Sequence, residues 1–203
     1  MPLIALNKTT QERVDITQVD DPRVQLRADS LVCPVCSSRM IVVAGVIKMA
    51  HFRHYDLNDC PYTNYAAGES EEHRQAKRWL RDRLREESGF DVPVHLEYHL
   101  PEVGRIADVA QLFPNGWIVV HEIQLAGITT LSLTERTQDY MTAGCDVIWY
   151  LGNNADTPAN REWAKRFQGF VAHVELEVEH VEYNRFRDTD SSPRRVNHGA
   201  AVH

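Results

Sequence analysis

Residues 105–124, with the sequence RIADVAQLFPNGWIVVHEIQ, restrict the possible folds of this chain more than any other stretch. Two apolar runs flank the segment FPNGW. Pro114 and Asn115 suit a type I turn, and Gly116 suits the left-handed position that completes a three-residue hairpin loop. The pattern therefore predicts two antiparallel strands joined by a tight turn.

The register of this hairpin predicts a cluster of polar side chains. If Phe113 pairs with Trp117, counting back places Asp108 opposite Glu122, and Gln124 shares the face of Glu122 because residues two apart point the same way. Two half-buried carboxylates in cross-strand contact repel each other unless a cation joins them. A hard divalent cation such as Mg²⁺ would relieve this cost and could activate water. The alternative is that both are solvent-facing residues of an exposed sheet face.

The elements around the hairpin indicate an α/β (α+β) fold. A helix is predicted from Ser70, which can cap its first turn, to Gly89. Strands are then predicted over residues 92–99, 105–113 and 117–124, followed by a helix over 132–143 and a strand over 147–151. The order is helix, three-strand antiparallel meander, helix, strand. Residues 156–169 are predicted to be helical, and residues 171–181 alternate as a strand.

Residues 31–64 have the pattern of a small metal-binding module. Cys33 and Cys36 form a Cys-x-x-Cys pair, a spacing that suits tetrahedral Zn²⁺. Cys60 is the expected third ligand and His54 the fourth, with His51 as the alternative. Strands over residues 40–44 and 46–52 would form a hairpin on this module. A redox role for the cysteine pair is the competing interpretation, and Cys145 is expected to be a buried apolar side chain.

These patterns divide the chain into three parts: residues 1–64 as a β-rich region with the zinc site, 65–183 as the main domain, and 184–203 as a disordered tail. No apolar run is long enough to cross a bilayer, and the first residues lack the pattern of a secretory signal, so we expect a soluble cytoplasmic protein. The formal net charge of -7 argues against nucleic-acid binding through bulk electrostatics, but it is compatible with a local basic surface beside a bound cation.

An ordered set of motifs resembles the competence protein CoiA family, whose members are regarded as nuclease-like. The motifs are Cys33-Pro-x-Cys36, His51-Phe-x-His54, Glu69 with His73 and Lys77, Arg105-x-Ala-Asp108, Glu122-Ile-Gln124, Arg136 with Tyr140, Gly144, and Val147-Ile-Trp149. The resemblance covers roughly residues 30–151. The segment from Asp108 to Gln124 also resembles the core of PD-(D/E)xK nucleases, which are restriction-endonuclease-like in fold.

This resemblance implies a metal-dependent deoxyribonuclease that binds DNA. Asp108 and Glu122 would hold Mg²⁺ or Mn²⁺ with the Ile123 carbonyl as a third ligand, and Gln124 would orient water or phosphate. The sequence departs from the superfamily pattern in two places: Ile106-Ala107 stands where a proline is expected, and Gln124 stands where a lysine is common. A silent protein that binds nucleic acid or recruits a partner is therefore the alternative, and a homodimer is left open.

Charged residues of the two helices are candidates for supporting roles. Glu69, His73 and Lys77 are spaced by four residues and would line one edge of the first helix. Glu69 or Glu72 could complete the metal shell, and His73 could move a proton. Lys77 or Arg105 could supply positive charge. A capped, solvated helix edge is the alternative. The nucleic-acid contacts expected from the basic residues are Arg74, Arg78, Arg81 and Arg136, with Arg85 on the same stripe. The alternatives are a solvated helix face for the stripe and a bracing role for Arg136. Tyr140 is expected to brace the sheet.

Overall fold

The computed structural model describes residues 2–45, 49–56, 59–89, 91–176 and 184–185. Its centre is a five-stranded mixed sheet with the strand order β10-β9-β8-β7-β6. Strands β6 (Val94–Leu100), β7 (Arg105–Leu112) and β8 (Ile118–Gln124) form an antiparallel meander. Strands β9 (Cys145–Leu151) and β10 (Ala172–His173) extend the sheet in parallel. The predicted α/β class and the predicted meander are confirmed.

Three helices pack on this sheet. Helix α3 (Glu71–Ser88) begins where the Ser70 hydroxyl accepts the His73 N–H, and it ends at Gly89. Helix α4 (Thr130–Thr142) is capped in the same way by Thr129, and α5 (Pro158–Gln168) by Thr157. Because a capping hydroxyl satisfies a free N–H of the first turn, these three residues set where the helices start. The predicted helices are confirmed to within a few residues.

The described residues up to Ala67 form small sheets and short helices. Strands β1 (Ile4–Asn7), β2 (Arg13–Asp15) and β3 (Leu31–Val32) make one sheet, and β4 (Met40–Val43) pairs with β5 (His51–His54) in another. Helix α1 spans Pro22–Gln25 and helix α2 spans Pro61–Ala67. The hairpin predicted on the metal-binding module is present in β4 and β5, while residues 46–48 of its second strand lie outside the described residues.

The N-terminal region and the main sheet share one hydrophobic core. Leu3, Phe52 and Tyr62 belong to the same buried cluster as Leu80 of α3 and Val109 of β7. A second cluster, around Trp149 and Tyr140, lies between the sheet and helices α4 and α5. Burial of this apolar surface is the main driving force that holds the two regions together.

The turn predicted between β7 and β8 is confirmed. The Phe113 N–H donates to the Trp117 carbonyl over 2.8 Å, and Gly116 has a φ of 85°, which a residue with a side chain rarely adopts. The strand pairing places Val109 opposite His121 and Ala110 opposite Val120. Asp108 and Glu122 are the next residues along each strand, so the count made from the turn gives the correct register.

Two parts of the chain differ from expectation. Helix α2 was not predicted, although Pro61 at its first position is a common start signal. The predicted strand over 171–181 is divided into β10 and β11 (Glu175–Leu176), and β11 pairs with β12 (Asn184–Arg185), where a disordered tail was expected to begin. Residues 177–183 and 186–203 lie outside the described residues.

Within the described ranges, no helix combines the length and apolar character needed to span a bilayer.

His95 on β6 predicts a pH-dependent stability. Burial, together with Arg13 and Arg85, lowers the pKa of His95 to about 4 from a usual value of 6.5. The unfolded chain therefore takes up a proton at a higher pH than the folded protein, so stability is lost as the pH falls from about 6.5 toward 4. The effect should be a fraction of roughly 1.4 kcal/mol per pH unit, because the half-buried ring keeps contact with water.

Replacing His95 with Gln should flatten this dependence. We expect the free energy of unfolding in urea to fall less between pH 7 and pH 4.5 in His95→Gln than in the wild-type protein. An equal change of unfolding free energy with pH in the two proteins would contradict the assignment of this pH dependence to His95.

Candidate active site and metal centre

The candidate active site lies where strands β7 and β8 separate. Regular backbone pairing of β7 with β8 runs from the turn to Val109 and His121. Beyond this pair, side-chain carboxylates accept the backbone N–H groups that a regular strand pairing would bond to carbonyls. The Asp108 N–H donates to Glu122 Oε1 over 3.3 Å, and the Ile123 N–H donates to Asp108 Oδ2 over 2.9 Å. Each strand thus binds a carboxylate of the other, which brings Asp108 and Glu122 together at the fork between the strands.

Asp108 is held by the helices that precede the sheet. Its Oδ1 accepts the Tyr65 hydroxyl over 2.5 Å, and its Oδ2 lies 3.1 Å from His73 Nε2. Burial opposes ionisation of Asp108, but His73, Lys77 and the Tyr65 hydrogen bond outweigh it and hold the pKa well below its usual value. Asp108 is therefore a buried carboxylate that remains charged.

Glu122 is held from the other side, by helix α4. Its Oε1 accepts the Tyr140 hydroxyl over 2.6 Å, and its Oε2 forms an ion pair with Arg136. Burial and the nearby Asp108 raise the pKa of Glu122, although Arg136 and Tyr140 act in the opposite direction. The expectation that Asp108 and Glu122 project from one face needs correction: different helices hold them, and they meet only because the strands part.

Helix α3 adds a buried charge network next to Asp108. His73 Nδ1 lies 3.1 Å from Glu69 Oε1, and Lys77 forms ion pairs with Glu69 and with Glu97 of β6. Burial alone would lower the pKa of His73, but Asp108 and Glu69 raise it to about 10. Glu69, His73 and Asp108 each offer one donor atom within 4.8 Å of the others, so this group also has the spacing of a metal site.

Lys77 is neither on a solvated helix edge, which was the alternative interpretation, nor among the residues that line the cavity at the fork. Its side chain is fully buried, and its ammonium group lies between Glu69 and Glu97, 2.7 Å from Glu97 Oε1. Glu97 also accepts the Leu3 N–H over 2.7 Å and the Tyr62 hydroxyl. Lys77 therefore links the N-terminal region to the helix that supports the site.

The predicted basic stripe on α3 also needs correction. Arg74 is buried and pairs with Glu71 over 2.6 Å, and Arg81 is fully enclosed between Asp15 and Asp82. Arg78 is half-buried. The spacing of these residues follows one helix face, but that face packs against the protein, so Arg74 and Arg81 are not placed to contact a phosphate backbone.

Three other predicted residues line a cavity of about 420 Å³ that opens above the fork. They are Arg105, Gln124 and Arg136, and the lining also includes His73 and Asp108. Arg136 Nη1 donates to Gln124 Oε1 over 3.1 Å, and its guanidinium lies 4.7 Å from the centre of the Trp149 ring. Arg105 pairs with Asp139 of α4 over 2.6 Å. The cavity is therefore lined by the Asp108 carboxylate and by two guanidinium groups, while Glu122 is enclosed behind Arg136 and Tyr140.

The second candidate site is a group of cysteine and histidine side chains in the N-terminal region. The donor atoms of Cys33, Cys36, His54 and Cys60 all lie within 4.8 Å of one another. The sulfurs of Cys33 and Cys60 are 3.8 Å apart, and Cys36 Sγ is 3.3 Å from His54 Nε2. Tetrahedral zinc with bonds of about 2.3 Å needs sulfurs roughly 3.8 Å apart, so the group could hold a metal ion such as zinc.

His54, and not His51, belongs to this group. The His54 Nδ1 atom lies 3.0 Å from the Thr63 hydroxyl, which leaves Nε2 facing the cysteines. His51 Nδ1 lies 3.0 Å from the Met49 carbonyl. Cys145, at the start of β9, is buried in the second core cluster as expected.

Helix α2 connects the two candidate sites, and sequence reasoning missed its contribution. It follows Cys60 directly, and it carries Thr63, which contacts His54, and Tyr65, which contacts Asp108. Glu97 was also missed. The segment CPYTNY held a usable signal, since two tyrosines three residues apart follow a proline and would share a helix face.

The fold and the site define a mixed α/β protein with a nuclease-like domain. Residues 69–183 match the family profile described as competence protein CoiA, nuclease-like domain, and residues 16–63 match the profile described as competence protein CoiA, N-terminal domain. The chain belongs to the competence protein CoiA family, as its motifs predicted. No curated protein and no solved structure matches it significantly.

Removing the Lys77 charge should destabilise the protein strongly. The substitution Lys77→Met leaves Glu69 and Glu97 buried without their cation, and breaking a buried ion pair in this way costs about 3–5 kcal/mol. Urea unfolding at neutral pH measures the change. Lys165→Met, at an exposed position of α5, is the control and should change stability by less than about 0.5 kcal/mol. Similar losses in both variants would contradict the structural role of Lys77.

Removing a cysteine ligand should remove bound zinc. We expect about one zinc ion per chain by elemental analysis in the wild-type protein and much less in Cys60→Ser, together with a lower unfolding temperature. Cys145→Ala removes a buried cysteine outside the group and should retain the zinc. Full zinc content in Cys60→Ser would contradict the ligand assignment.

Proposed function

We propose that this protein is a metal-dependent nuclease that hydrolyses phosphodiester bonds in DNA. The observation that carries the proposal is the fork between β7 and β8, where Asp108 and Glu122 each accept a backbone N–H of the opposite strand and where Asp108 lines a cavity together with two guanidinium groups. Carboxylates beside cationic side chains suit a reaction in which a cation and a phosphate bind next to each other.

The arrangement of elements supports a PD-(D/E)xK core. Helix α3, the meander β6 to β8, helix α4 and strand β9 follow one another in the order expected for that core. The membership of the nuclease-like family supports the same assignment. In this interpretation Asp108 and Glu122 occupy the two acidic positions and Gln124 occupies the position at which lysine is common.

The donor set at the fork suits a hard divalent cation. Asp108 is charged and lies at the cavity, Glu122 is adjacent, and the Ile123 carbonyl is the third oxygen proposed for Mg²⁺ or Mn²⁺. When bound, the cation would lower the pKa of an attacking water and stabilise charge on the phosphate. Glu69 adds a carboxylate next to Asp108 that could complete the metal shell.

The side chains around the fork have distinct proposed roles. Arg136 and Arg105 would bind phosphate oxygens, because both guanidinium groups line the cavity. His73 holds a proton near Asp108 at neutral pH and would donate it to the oxygen that leaves phosphorus as water attacks. Tyr65 and the Ile123 N–H hold the Asp108 carboxylate in position. Gln124 would orient water or phosphate through its amide.

The Cys33, Cys36, His54 and Cys60 group is proposed as a structural zinc site. Four protein ligands close the coordination shell and leave no position for a substrate, as in other structural sites. A cytoplasmic location fits reduced cysteines at such a site. A homodimer or a protein partner in DNA processing is compatible with this assignment.

A second candidate function is a nuclease-like protein that binds nucleic acid without cutting it. One observation favours it: each acidic side chain at the fork already has a cationic partner, His73 for Asp108 and Arg136 for Glu122. Gln124 cannot supply the positive charge of a lysine, and its amide nitrogen donates to the Ala126 carbonyl. Such a protein would retain DNA binding without turnover.

Substitution of the two carboxylates tests the proposed reaction. Purified protein is incubated with single-stranded, duplex and branched DNA in Mg²⁺ or Mn²⁺, and products are followed on denaturing gels. Asp108→Asn and Glu122→Gln should each reduce cutting by about a hundredfold or more, because each removes a charged oxygen ligand.

Asp146→Asn serves as the matched control. Asp146 is exposed and accepts the Trp117 indole N–H at the opposite end of β8, so this variant should cut DNA like the wild-type protein. Cutting that survives both carboxylate substitutions would falsify the site assignment. Binding of DNA without cutting under any condition would support the second candidate function.

A further inference from the structure

The Glu122 carboxylate is fully enclosed, and each of its oxygens has a partner. Oε1 accepts the Tyr140 hydroxyl over 2.6 Å and the Asp108 N–H over 3.3 Å. Oε2 pairs with the Arg136 guanidinium. Because Oε1 already accepts two hydrogen bonds, a cation would bind Glu122 through Oε2, where the Arg136 guanidinium lies.

Arg136 is the one of these three partners of Glu122 that can leave most readily. The Tyr140 ring is fully buried in the second core cluster, and the Asp108 N–H belongs to a strand of the central sheet. The Arg136 side chain is 25% exposed and lines the cavity. Its long aliphatic stem allows the charged end to move while the helix remains fixed.

Arg136 occupies the position beside Glu122 Oε2 that a metal ion bound to this carboxylate would take. A divalent cation placed beside the guanidinium would be repelled by it, and the enclosure of Glu122 reduces screening by water. The cation and Arg136 are therefore competitors for the same carboxylate. Lys77 and His73 do not take part in this competition, since their contacts are with Glu69, Glu97 and Asp108.

Arg136 has two contacts besides its ion pair with Glu122. Gln124 Oε1 accepts one of its N–H groups over 3.1 Å, and the Trp149 ring lies 4.7 Å from its central carbon. These contacts keep the guanidinium at the cavity wall after it leaves Glu122. A phosphate oxygen in the cavity is a strong acceptor for the N–H groups that become free.

We propose that Arg136 is a gate between the metal ion and the nucleic acid. In the free protein the Arg136 guanidinium neutralises Glu122. When a phosphate enters the cavity, the guanidinium moves to the phosphate, and Glu122 becomes free to bind a divalent cation. Nucleic acid and metal then bind cooperatively, and by linkage each raises the affinity for the other by the same factor. This inference rests on the proposed function, because it takes Glu122 as a ligand of the cation.

Metal affinity in the absence of DNA is the first test. Mn²⁺ is titrated into the full-length, zinc-loaded protein in a calorimeter, for wild-type, Arg136→Met and Arg136→Gln. Each substitution removes the competing charge, so Mn²⁺ should bind at least about tenfold more tightly than to the wild-type protein. Two replacements are used so that a folding defect in one variant does not decide the result.

Arg105→Met is the matched control. Arg105 lines the same cavity but pairs with Asp139, so this variant reports the general effect of removing a positive charge nearby. Mn²⁺ affinity should change by less than about threefold. Equal gains in the Arg105 and Arg136 variants would overturn the gate, because they would show a nonspecific field effect. An unchanged affinity in both Arg136 variants would also overturn it.

The second test measures cooperativity directly. The Mn²⁺ titration is repeated with a short oligonucleotide whose phosphorothioate linkages resist hydrolysis. The oligonucleotide should raise Mn²⁺ affinity about tenfold or more in the wild-type protein and much less in Arg136→Met. An equal increase in both proteins would overturn the gate.

Glu122→Gln separates failure of the gate from failure of the proposed function. If Glu122→Gln abolishes Mn²⁺ binding while Arg136→Met leaves it unchanged, the metal site stands and the gate is overturned. If Mn²⁺ binds neither the wild-type protein nor Arg136→Met outside the zinc site, the proposed function and the gate are both overturned.

Discussion

The candidate active site depends on the hydrogen bonds that Asp108 and Glu122 make across the fork between β7 and β8. Each carboxylate accepts a backbone N–H of the opposite strand, so the strands can separate without leaving these polar groups unsatisfied. The separation opens the cavity and exposes Asp108 to it. A regular ladder at this position would close the sheet and leave no room for a ligand.

The cost of burying so much charge is reduced by pairing. His73 faces Asp108, Arg136 faces Glu122, and Lys77 lies between Glu69 and Glu97. Isolated charges at these positions would be strongly unfavourable, whereas pairs with hydrogen bonds are tolerated. The pairing of Arg136 with Glu122 creates the competition between a metal ion and a resident cation on which the proposed gate is based.

The N-terminal region is part of the site's support. Tyr62 and Tyr65 of helix α2 contact Glu97 and Asp108, and Leu3 of the first strand region also bonds Glu97. Cys60, at the start of α2, is one of the four clustered metal-binding side chains. A metal ion at that cluster would hold the start of the helix that supports Asp108.

The sequence alone determined the local features of this protein. The FPNGW turn fixes the register of β7 and β8, and hydroxyl caps and glycines fix the ends of α3 and α4, because these depend on residues close together in the chain. The Cys-x-x-Cys spacing indicated a metal site for the same reason. The family motifs contain most of the polar residues found at the candidate active site.

Only the tertiary structure decided the partners of the charged residues. The sequence shows Arg74, Lys77 and Arg81 as an amphipathic pattern of charge, but not that Asp15, Glu97 and the N-terminal region would enclose that face. It also does not show that Asp108 and Glu122 are held by different helices. Pairing between distant segments depends on how the helices and strands pack, and local sequence spacing carries no information about it.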